Sequence, residues 1–183
     1  VVADNWPNIR VDLVDIDTKR IKEWNNEDLD KLPVYEPGLK EIVRKNRNKN
    51  LFFSNDIENC IKHADMIFIS VNTPTKTTGF GAGYASDLKW VESCARQVAK
   101  FSLGHTIVVE KSTVPVKTAE SIQLILNSSN ANQDQINKTY SIISNPEFLA
   151  EGSAVKDLEN PDRVLIGGQD IESINLIASL YKE

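Results

Sequence analysis

Short apolar runs alternate along the chain with stretches in which apolar residues recur every three or four positions. The short runs predict buried strands, and the amphipathic stretches predict helices. Strands are predicted at residues 9–15, 51–54, 66–71, 106–109, 140–144 and 164–167. Helices are predicted after residue 17 and at residues 39–44, 56–63, 87–101, 116–126 and 171–181. Because no hairpin-turn dipeptide separates adjacent runs, this order predicts an α/β fold with a parallel sheet wrapped by helices.

Polar residues follow four of the predicted strands. Asp15 ends the first strand, and the other three are followed by residues 72–75, 112–114 and 147–151. Right-handed crossover connections bring the carboxyl ends of parallel strands to one edge of a sheet. Ligands of open α/β sheets bind at that edge. The sequence therefore predicts a ligand crevice there.

Three acids at these strand ends are candidates for the chemistry. An acid after an early strand is where a dinucleotide-binding unit holds the nucleotide ribose, which makes Asp15 a candidate, although Asp is also a common turn residue. Glu147 and Glu151 are four residues apart. A helical backbone after Pro146 would place both on one face, either as catalytic acids or as ordinary acids of a first helical turn.

Three further stretches are predicted to be irregular. Residues 76–86 form a Gly-rich loop, and loops of that length in compact domains are usually functional or mobile. Residues 127–138 are polar, without an apolar period, and predict a second loop. Residues 155–161 predict a short polar connection between two strands.

The composition narrows the classes of partner. The chain of 183 residues is 40% hydrophobic and 26% charged, as expected of a globular protein. Its net charge of -5 argues against nucleic acid as the partner. No apolar run reaches the length that spans a bilayer, so we expect no membrane partner. We also expect no metal site.

The two cysteines, Cys60 and Cys94, both fall in predicted helices. Such a low cysteine count suits buried thiols in a reducing compartment, and the chain opens without a signal segment, so we expect a cytoplasmic protein. Neither cysteine follows a predicted strand or neighbours a histidine in sequence. A nucleophilic role for either thiol is therefore the less favoured alternative.

Several motifs of the chain match those of one enzyme family in the same order. The sequence resembles the NAD-binding domain of the UDP-glucose/GDP-mannose dehydrogenase family, and within it the animal and eukaryotic type that oxidises UDP-glucose. The resemblance covers essentially the whole chain. It is carried by Asp15 with Arg20 and by residues 35–39, 69–77, 110–115, 145–152 and 160–168.

The resemblance implies a Rossmann-like, doubly wound parallel sheet with helices on both faces. It also implies an NAD-dependent oxidoreductase that converts the C6 alcohol of UDP-glucose to the carboxylate of UDP-glucuronate, with two NAD molecules in succession. In the family the reaction passes through a thioester on a cysteine of a C-terminal UDP-sugar domain, which follows a central helix. Neither of those parts is expected in this chain, so we expect residues 1–183 alone to be inactive.

The cofactor contacts implied by the resemblance follow the strand ends. Asp15 would hold the adenosine ribose, with Arg20 beside it. An ionised carboxylate there would favour NAD over NADP, because it repels a 2′-phosphate. Glu151 would lie near the nicotinamide. The remaining cofactor-binding residues would be Val71, Asn72, Thr73, Pro74, Thr75, Ser112, Thr113 and Val114.

The catalytic and substrate contacts implied by the resemblance involve two strand ends. Thr113 would help to position water near the reacting carbon. Glu147 would act as a general acid or base through water. The substrate, UDP-glucose, would be bound by Glu147, Phe148, Leu149, Ala150 and Glu151.

Two alternatives to UDP-glucose oxidation remain open. One is a sister enzyme that oxidises UDP-N-acetylmannosamine or GDP-mannose, and the other is a non-catalytic nucleotide-binding or oligomerisation module. In animal members of the family, the segment matching residues 76–86 and the helix after it is tied to allosteric control and hexamer contacts. We therefore expect a homo-oligomer, from dimer to hexamer.

The start of the chain departs from the family pattern. A dinucleotide-binding unit opens with a strand, a Gly-rich turn and a helix, about twenty residues before the ribose acid. Only fourteen residues precede Asp15, and no Gly-x-Gly-x-x-Gly occurs among them. We therefore expect residues 1–183 to be an NAD-binding domain that lacks its first strand and its Gly-rich turn.

Overall fold

Strands and helices alternate through the computed structural model, which describes residues 1–115, 117–130 and 138–181. The strands are β1 (Val11–Val14), β2 (Leu51–Ser54), β3 (Met66–Ile69), β4 (His105–Glu110), β5 (Thr139–Ser144) and β6 (Gly167–Gly168). The helices are α1 (Val2–Asn5), α2 (Thr18–Trp24), α3 (Leu39–Asn46), α4 (Ile57–Lys62), α5 (Lys89–Phe101), α6 (Thr118–Asn130), α7 (Ala154–Glu159) and α8 (Ile171–Ser179). No helix within these described ranges has the length and apolar character needed to cross a membrane.

The chain forms two compact units. The first contains Val1–Cys60 and Phe148–Arg163, together with residues 180–181, and its sheet pairs β1 with β2 in parallel. The second contains Ile61–Glu147 and Val164–Ser179. Its sheet has the order β3-β4-β5-β6, in which the first three strands are parallel. The predicted α/β class, with parallel strands and helices between them, is therefore confirmed.

The core of the first unit lies between β2 and the helices beside it. Ile21 of α2, Val43 of α3 and Phe53 of β2 are buried together. The ring of Trp24, at the end of α2, stacks on Phe53 with 4.9 Å between the ring centroids. Aliphatic burial and ring stacking therefore fix α2 and α3 against the sheet.

The central strand β4 carries the core of the second unit. Val108 and Val109 are fully buried, as expected of a strand covered on both faces. Ile143 of β5 and Ile177 of α8 are fully buried as well. Because β3, β4 and β5 are parallel, their carboxyl ends lie at one edge of this sheet, where the sequence predicted polar residues.

Two of the stretches predicted to be irregular contain helix. Helix α7 occupies Ala154–Glu159, where the sequence predicted a polar connection. Helix α6 continues to Asn130, into a predicted loop whose remainder, residues 131–137, lies outside the described residues. Helix α7 has only six residues, none of them buried, so its apolar positions are too few to establish the period by which helices are recognised.

Strand β6 departs from the prediction in position and in direction. It comprises only Gly167 and Gly168, and it pairs antiparallel with Ser144 and Ile143 of β5. A Cβ atom on Gly168 would lie 2.5 Å from Cδ1 of Ile143. The absence of a side chain at Gly168 therefore leaves room for the side chain of Ile143 at this edge of the sheet, which the apolar pattern of residues 164–167 did not indicate.

Candidate functional site

Ser112 joins the segments that follow β3 and β4. Its Oγ atom donates a hydrogen bond to the carbonyl oxygen of Val71 over 2.8 Å and accepts one from the backbone amide of Val71 over 3.1 Å. A hydroxyl group carries one proton and two lone pairs, so a single serine can make both bonds. Because Ser112 is 8% exposed, these bonds are largely shielded from water.

A second hydrogen bond extends this contact between the two segments. Oγ1 of Thr73 donates to the carbonyl oxygen of Thr113 over 2.9 Å. Beyond it, the carbonyl oxygen of Pro74 accepts from the amide of Asp87 over 2.7 Å. The segments predicted to line a cofactor, which follow β3 and β4, are therefore joined within the second unit by the hydrogen bonds of Val71 with Ser112 and of Thr73 with Thr113. They comprise Val71, Asn72, Thr73, Pro74 and Thr75 on one side, and Ser112, Thr113 and Val114 on the other.

Asn145 fixes the chain where it leaves β5. It is 1% exposed, and its backbone amide donates to the carbonyl oxygen of Glu110 over 2.9 Å. Its side-chain amide donates to the carbonyl oxygen of Leu165 over 2.8 Å, and its Oδ1 atom accepts from Nζ of Lys111 over 3.4 Å. Glu147 follows two residues later and is exposed. A buried anchor thus presents a carboxylate to solvent.

Glu110, at the end of β4, is a buried acid whose role the sequence analysis did not predict. It is 1% exposed, and its Oε1 atom has no hydrogen-bond partner among the described residues. Burial raises the pKa of Glu110 to about 7, although the backbone amide of Ser112 and the charge of Lys111 act in the opposite direction. The sequence does show that a charged residue ends an apolar strand. Matching the motif of residues 110–115 does not, however, reveal that this acid is buried.

Asp15 lies directly after β1 in the first unit and is partly buried. Its Oδ1 atom accepts from the backbone amide of Asp17 over 2.9 Å, and Asp17 in turn caps α2 by accepting from the amides of Lys19 and Arg20. Its Oδ2 atom takes no hydrogen bond within the described ranges. Asp15 is therefore held in place through one oxygen while the other remains available to a ligand. The exposed guanidinium of Arg20 follows in the first turn of α2.

The backbone after Pro146 is not helical, so the predicted placement of Glu147 and Glu151 on one helix face is wrong. Irregular structure continues to Ser153, and α7 starts at Ala154. The amides that a helix would have used are bonded to side chains instead. Oδ2 of Asp157 accepts from the amide of Ala150 over 3.1 Å and from the hydroxyl of Ser153 over 2.8 Å, and the first of these bonds contributes most to lowering the pKa of Asp157.

An exposed aromatic ring begins this segment. Phe148 is 48% exposed, and the guanidinium carbon of Arg163 lies 4.1 Å from the centre of its ring. A cation placed over a ring face in this way is attracted by the quadrupole of the ring. Phe148 is therefore oriented by a neighbour while one side of it stays accessible. The remaining predicted substrate residues, Leu149, Ala150 and Glu151, lie in the same irregular segment.

The family can be decided by comparison with known sequences. A sequence model described as the UDP-glucose/GDP-mannose dehydrogenase family, NAD binding domain, matches residues 2–183. The chain belongs to the UDP-glucose/GDP-mannose dehydrogenase family. Its cofactor is accordingly NAD, as predicted from the motifs.

Relatives and solved structures agree with this assignment. The UDP-glucose 6-dehydrogenase of Drosophila melanogaster is 60% identical over 170 residues, which are 93% of this chain and 34% of the relative. That of Caenorhabditis elegans is 55% identical over 183 residues, which are 100% of this chain and 37% of the relative. The structure of a UDP-glucose dehydrogenase from Pyrobaculum islandicum superposes with a TM-score of 0.82 at 30% identity, covering 99% of this chain and 40% of that one. The predicted Rossmann-like class is thereby confirmed, and the chain spans about a third of the length of the curated relatives that it matches.

The described residues fit the NAD that the family binds. Asp15 offers an unbonded carboxylate oxygen after β1, as an acid that accepts ribose hydroxyls requires. In the second unit, the paired segments after β3 and β4 supply backbone groups and the exposed hydroxyl of Thr113 at a sheet edge. No group of three or more His, Cys, Asp or Glu side chains suited to a metal ion occurs in the part of the chain that the structure describes.

Proposed function

We propose that this chain is the NAD-binding part of an enzyme that oxidises UDP-glucose at C6 to UDP-glucuronate. The observation that carries the proposal is the identity of 55% to 60% with UDP-glucose 6-dehydrogenases across nearly all of the chain. The hydrogen-bonded strand ends support it, because they organise the same residues that the resemblance assigns to the cofactor.

The proposed cofactor contacts begin with Asp15. Its free carboxylate oxygen accepts a hydrogen bond from a hydroxyl of the adenosine ribose, and its negative charge repels the 2′-phosphate of NADP. Arg20 lies beside it, at the start of α2. Residues 71–75 and 112–114 line the cofactor, and Glu151 contacts it as well. NAD supplies the hydride acceptor for the oxidation when it is bound.

Thr113 is proposed to hold water at the reacting carbon. Its carbonyl oxygen is occupied by the hydroxyl of Thr73, whereas its own hydroxyl has no partner within the described residues and is exposed to solvent. A hydroxyl can donate one hydrogen bond and accept two, so it can orient a water molecule. Ser112, whose hydroxyl bonds both the amide and the carbonyl of Val71, serves to position this segment.

Glu147 is proposed as the general acid or base. It is exposed, and it follows the buried anchor Asn145, so that its carboxylate is accessible while its backbone is fixed. In this role it takes the proton of the substrate hydroxyl through a water molecule, and it returns a proton in the reverse direction. Phe148, Leu149, Ala150 and Glu151 contact the sugar nucleotide.

Neither cysteine of the chain is proposed as the nucleophile of the thioester route. Cys60 and Cys94 are free thiols on α4 and α5. Burial raises the pKa of both thiols, which lowers the fraction of reactive thiolate at neutral pH. As the resemblance to the family implies, we propose that the covalent step uses a cysteine of a UDP-sugar domain outside residues 1–183.

Assembly and location complete the proposal. The loop over residues 76–86 carries Phe80 and Tyr84, which are 96% and 80% exposed. Aromatic side chains are enriched at contacts between protein copies, so this loop supports a homo-oligomer, whose size light scattering of the full-length protein would measure. The two free thiols support a reducing compartment, for which we propose the cytoplasm.

A panel of three nucleotide sugars tests the proposed activity. The full-length protein is mixed with NAD and with UDP-glucose, UDP-N-acetylmannosamine or GDP-mannose, and NADH absorbance is followed. We expect NADH with UDP-glucose and at most a small fraction of that rate with the other two. A higher rate with either of the others would assign the chain to a sister enzyme, and NAD binding without NADH from any sugar would indicate a non-catalytic module.

A further inference from the structure

The segment over residues 148–153 has no helical or sheet pairing, although a turn hydrogen bond runs from the amide of Ser153 to the carbonyl oxygen of Ala150 over 3.2 Å. Backbone amides that lack such partners need other acceptors when the segment is ordered. Asp157, four residues after Ser153, is a local acceptor: its carboxylate accepts from the amide of Ala150 and from the hydroxyl of Ser153. The following amides, those of Gly152 and Ala154, are bound from a distant part of the chain.

Glu36 binds both of these amides with its two carboxylate oxygens. Oε1 accepts from the amide of Gly152 over 2.9 Å, and Oε2 accepts from the amide of Ala154 over 3.2 Å. Hydrogen bonds from amides to an ionised carboxylate are stronger than those between neutral groups. Glu36 lies 116 residues before Gly152, so this clamp links two separate stretches of the first unit.

The stretch that carries Glu36 is built to hold it. The amide of Leu39 donates to the carbonyl oxygen of Glu36 over 3.1 Å, which closes a tight turn before α3. Gly38, within this turn, has a φ of 83°, a conformation that glycine adopts without strain. A Cβ atom on Gly38 would lie 3.4 Å from Cγ1 of Val155, so the turn also packs against the first residues of α7. The carboxylate is thus carried by a turn that a backbone hydrogen bond closes and that packs against α7.

The two clamps bracket Glu151. Asp157 holds the amide of the residue before it, and Glu36 holds the amide of the residue after it. Gly152 has a φ of 84°, so the chain turns sharply there and the direction of the Glu151 side chain depends on how that turn is fixed. Within the described residues, the side chain of Glu151 has no hydrogen bond or ion pair of its own.

We propose that Glu36 is a positioning residue for the substrate segment, residues 148–151. It fixes Gly152 and Ala154, and through them it sets the backbone from which Glu151 and its neighbours meet the sugar nucleotide. The functional part of this inference rests on the proposed function, because the substrate role of the segment does. The anchoring itself rests only on the two hydrogen bonds.

Three variants of the full-length protein test the proposal. Glu36→Ala removes both acceptors, and Glu36→Gln keeps one oxygen that can accept while replacing the other with a donor. Glu41→Gln is the matched control, because Glu41 lies in α3 of the same unit with a side chain that is 69% exposed and has only a 3.8 Å contact to Arg44. We expect Glu36→Ala to raise the KM for UDP-glucose about tenfold, Glu36→Gln to raise it less, and Glu41→Gln to leave it unchanged.

Two further readouts separate positioning from general stability. The midpoint of thermal unfolding should stay close to wild type in Glu36→Gln. Hydrogen–deuterium exchange should accelerate at the amides of Gly152 and Ala154 in both Glu36 variants, with no change in α3. A lowered midpoint of thermal unfolding in Glu36→Gln with unchanged exchange at the amides of Gly152 and Ala154 would overturn the positioning role, since it would show a general structural effect.

The failure of this inference can be told apart from the failure of the proposed function. A wild-type protein that oxidises none of the three nucleotide sugars contradicts the proposed function. Hydrogen exchange then still decides the anchoring. Unchanged exchange of the Gly152 and Ala154 amides in Glu36→Ala would overturn it.

Discussion

Single buried polar side chains organise the strand ends of the second unit. Ser112 bonds both backbone groups of Val71, and Asn145 bonds Glu110, Lys111 and Leu165 through its backbone and its side chain. Glu110 lies between them with an unpaired oxygen. A buried polar group stabilises a fold only while its partners are present, so each of these residues offers a sharp test at the residue scale.

Removal of the Ser112 hydroxyl should weaken the join between the segments after β3 and β4. Ser112→Ala leaves the amide and the carbonyl of Val71 without their partner in a largely shielded position, which typically costs about 1–3 kcal/mol in the free energy of unfolding. Urea denaturation measures this cost. Ser121→Ala is the control, because the hydroxyl of Ser121 is exposed on α6 and makes only a 3.5 Å bond to Lys117. Equal free energies of unfolding for the two variants would contradict the role of the Ser112 hydroxyl in joining the two segments.

Glu110 should make the stability of the chain depend on pH. Its folded pKa is raised from 4.5 to about 7, so between these values the folded state binds more protons than the unfolded state. The contribution of Glu110 to the free energy of unfolding is therefore greatest below about pH 4.5, and it is lost as the pH rises to about 7. The shift corresponds to about 3 kcal/mol at 1.36 kcal/mol per pKa unit.

Glu110→Gln isolates this effect, because it keeps the shape of the side chain and cannot ionise. The free energy of unfolding, measured in urea at about pH 5 and about pH 8, should fall with pH in the wild-type protein and change much less in the variant. Parallel pH curves for the two proteins would show that Glu110 does not titrate as its burial requires.

At the scale of elements, the antiparallel strand β6 depends on the absence of a side chain at Gly168. In Gly168→Ala the added methyl group would lie 2.5 Å from Cδ1 of Ile143 and 3.2 Å from the carbonyl oxygen of Ile142. Overpacking of this kind typically costs about 1–3 kcal/mol. Gly167→Ala is the control, because no atom lies within 4 Å of a Cβ atom there. A thermal midpoint that falls equally in both variants would contradict the close approach.

The elements differ in how well the sequence predicted them. Strand β4 was recognisable because burial on both faces leaves a continuous apolar run. Helix α7 was not, since it buries no residue and its six residues are too few to establish an apolar period. The irregular course after Pro146 depends on carboxylates of Glu36 and Asp157, and no local pattern reveals that a distant acid will take an amide of Gly152. Strand-end chemistry and the family motifs nominated candidate site residues, whereas the hydrogen bonds that hold the backbone after Pro146 come in part from a distant residue.

At the scale of the whole molecule, the chain supplies two compact α/β units that carry different parts of the proposed chemistry. The first contains Asp15 and the segment held by Glu36, and the second contains the joined strand ends with Thr113 and Glu147. Membership of the UDP-glucose/GDP-mannose dehydrogenase family gives these parts a common cofactor, NAD. The central claim is that they serve the oxidation of an alcohol to a carboxylate in UDP-glucose.

Stoichiometry tests this claim most directly. Conversion of an alcohol to a carboxylate removes four electrons, and each NAD accepts two as a hydride. The full-length protein should therefore form two NADH for every UDP-glucose consumed, with UDP-glucuronate as the product identified by mass spectrometry. One NADH per sugar with an aldehyde product, or no NADH at saturating UDP-glucose and NAD, would contradict the account.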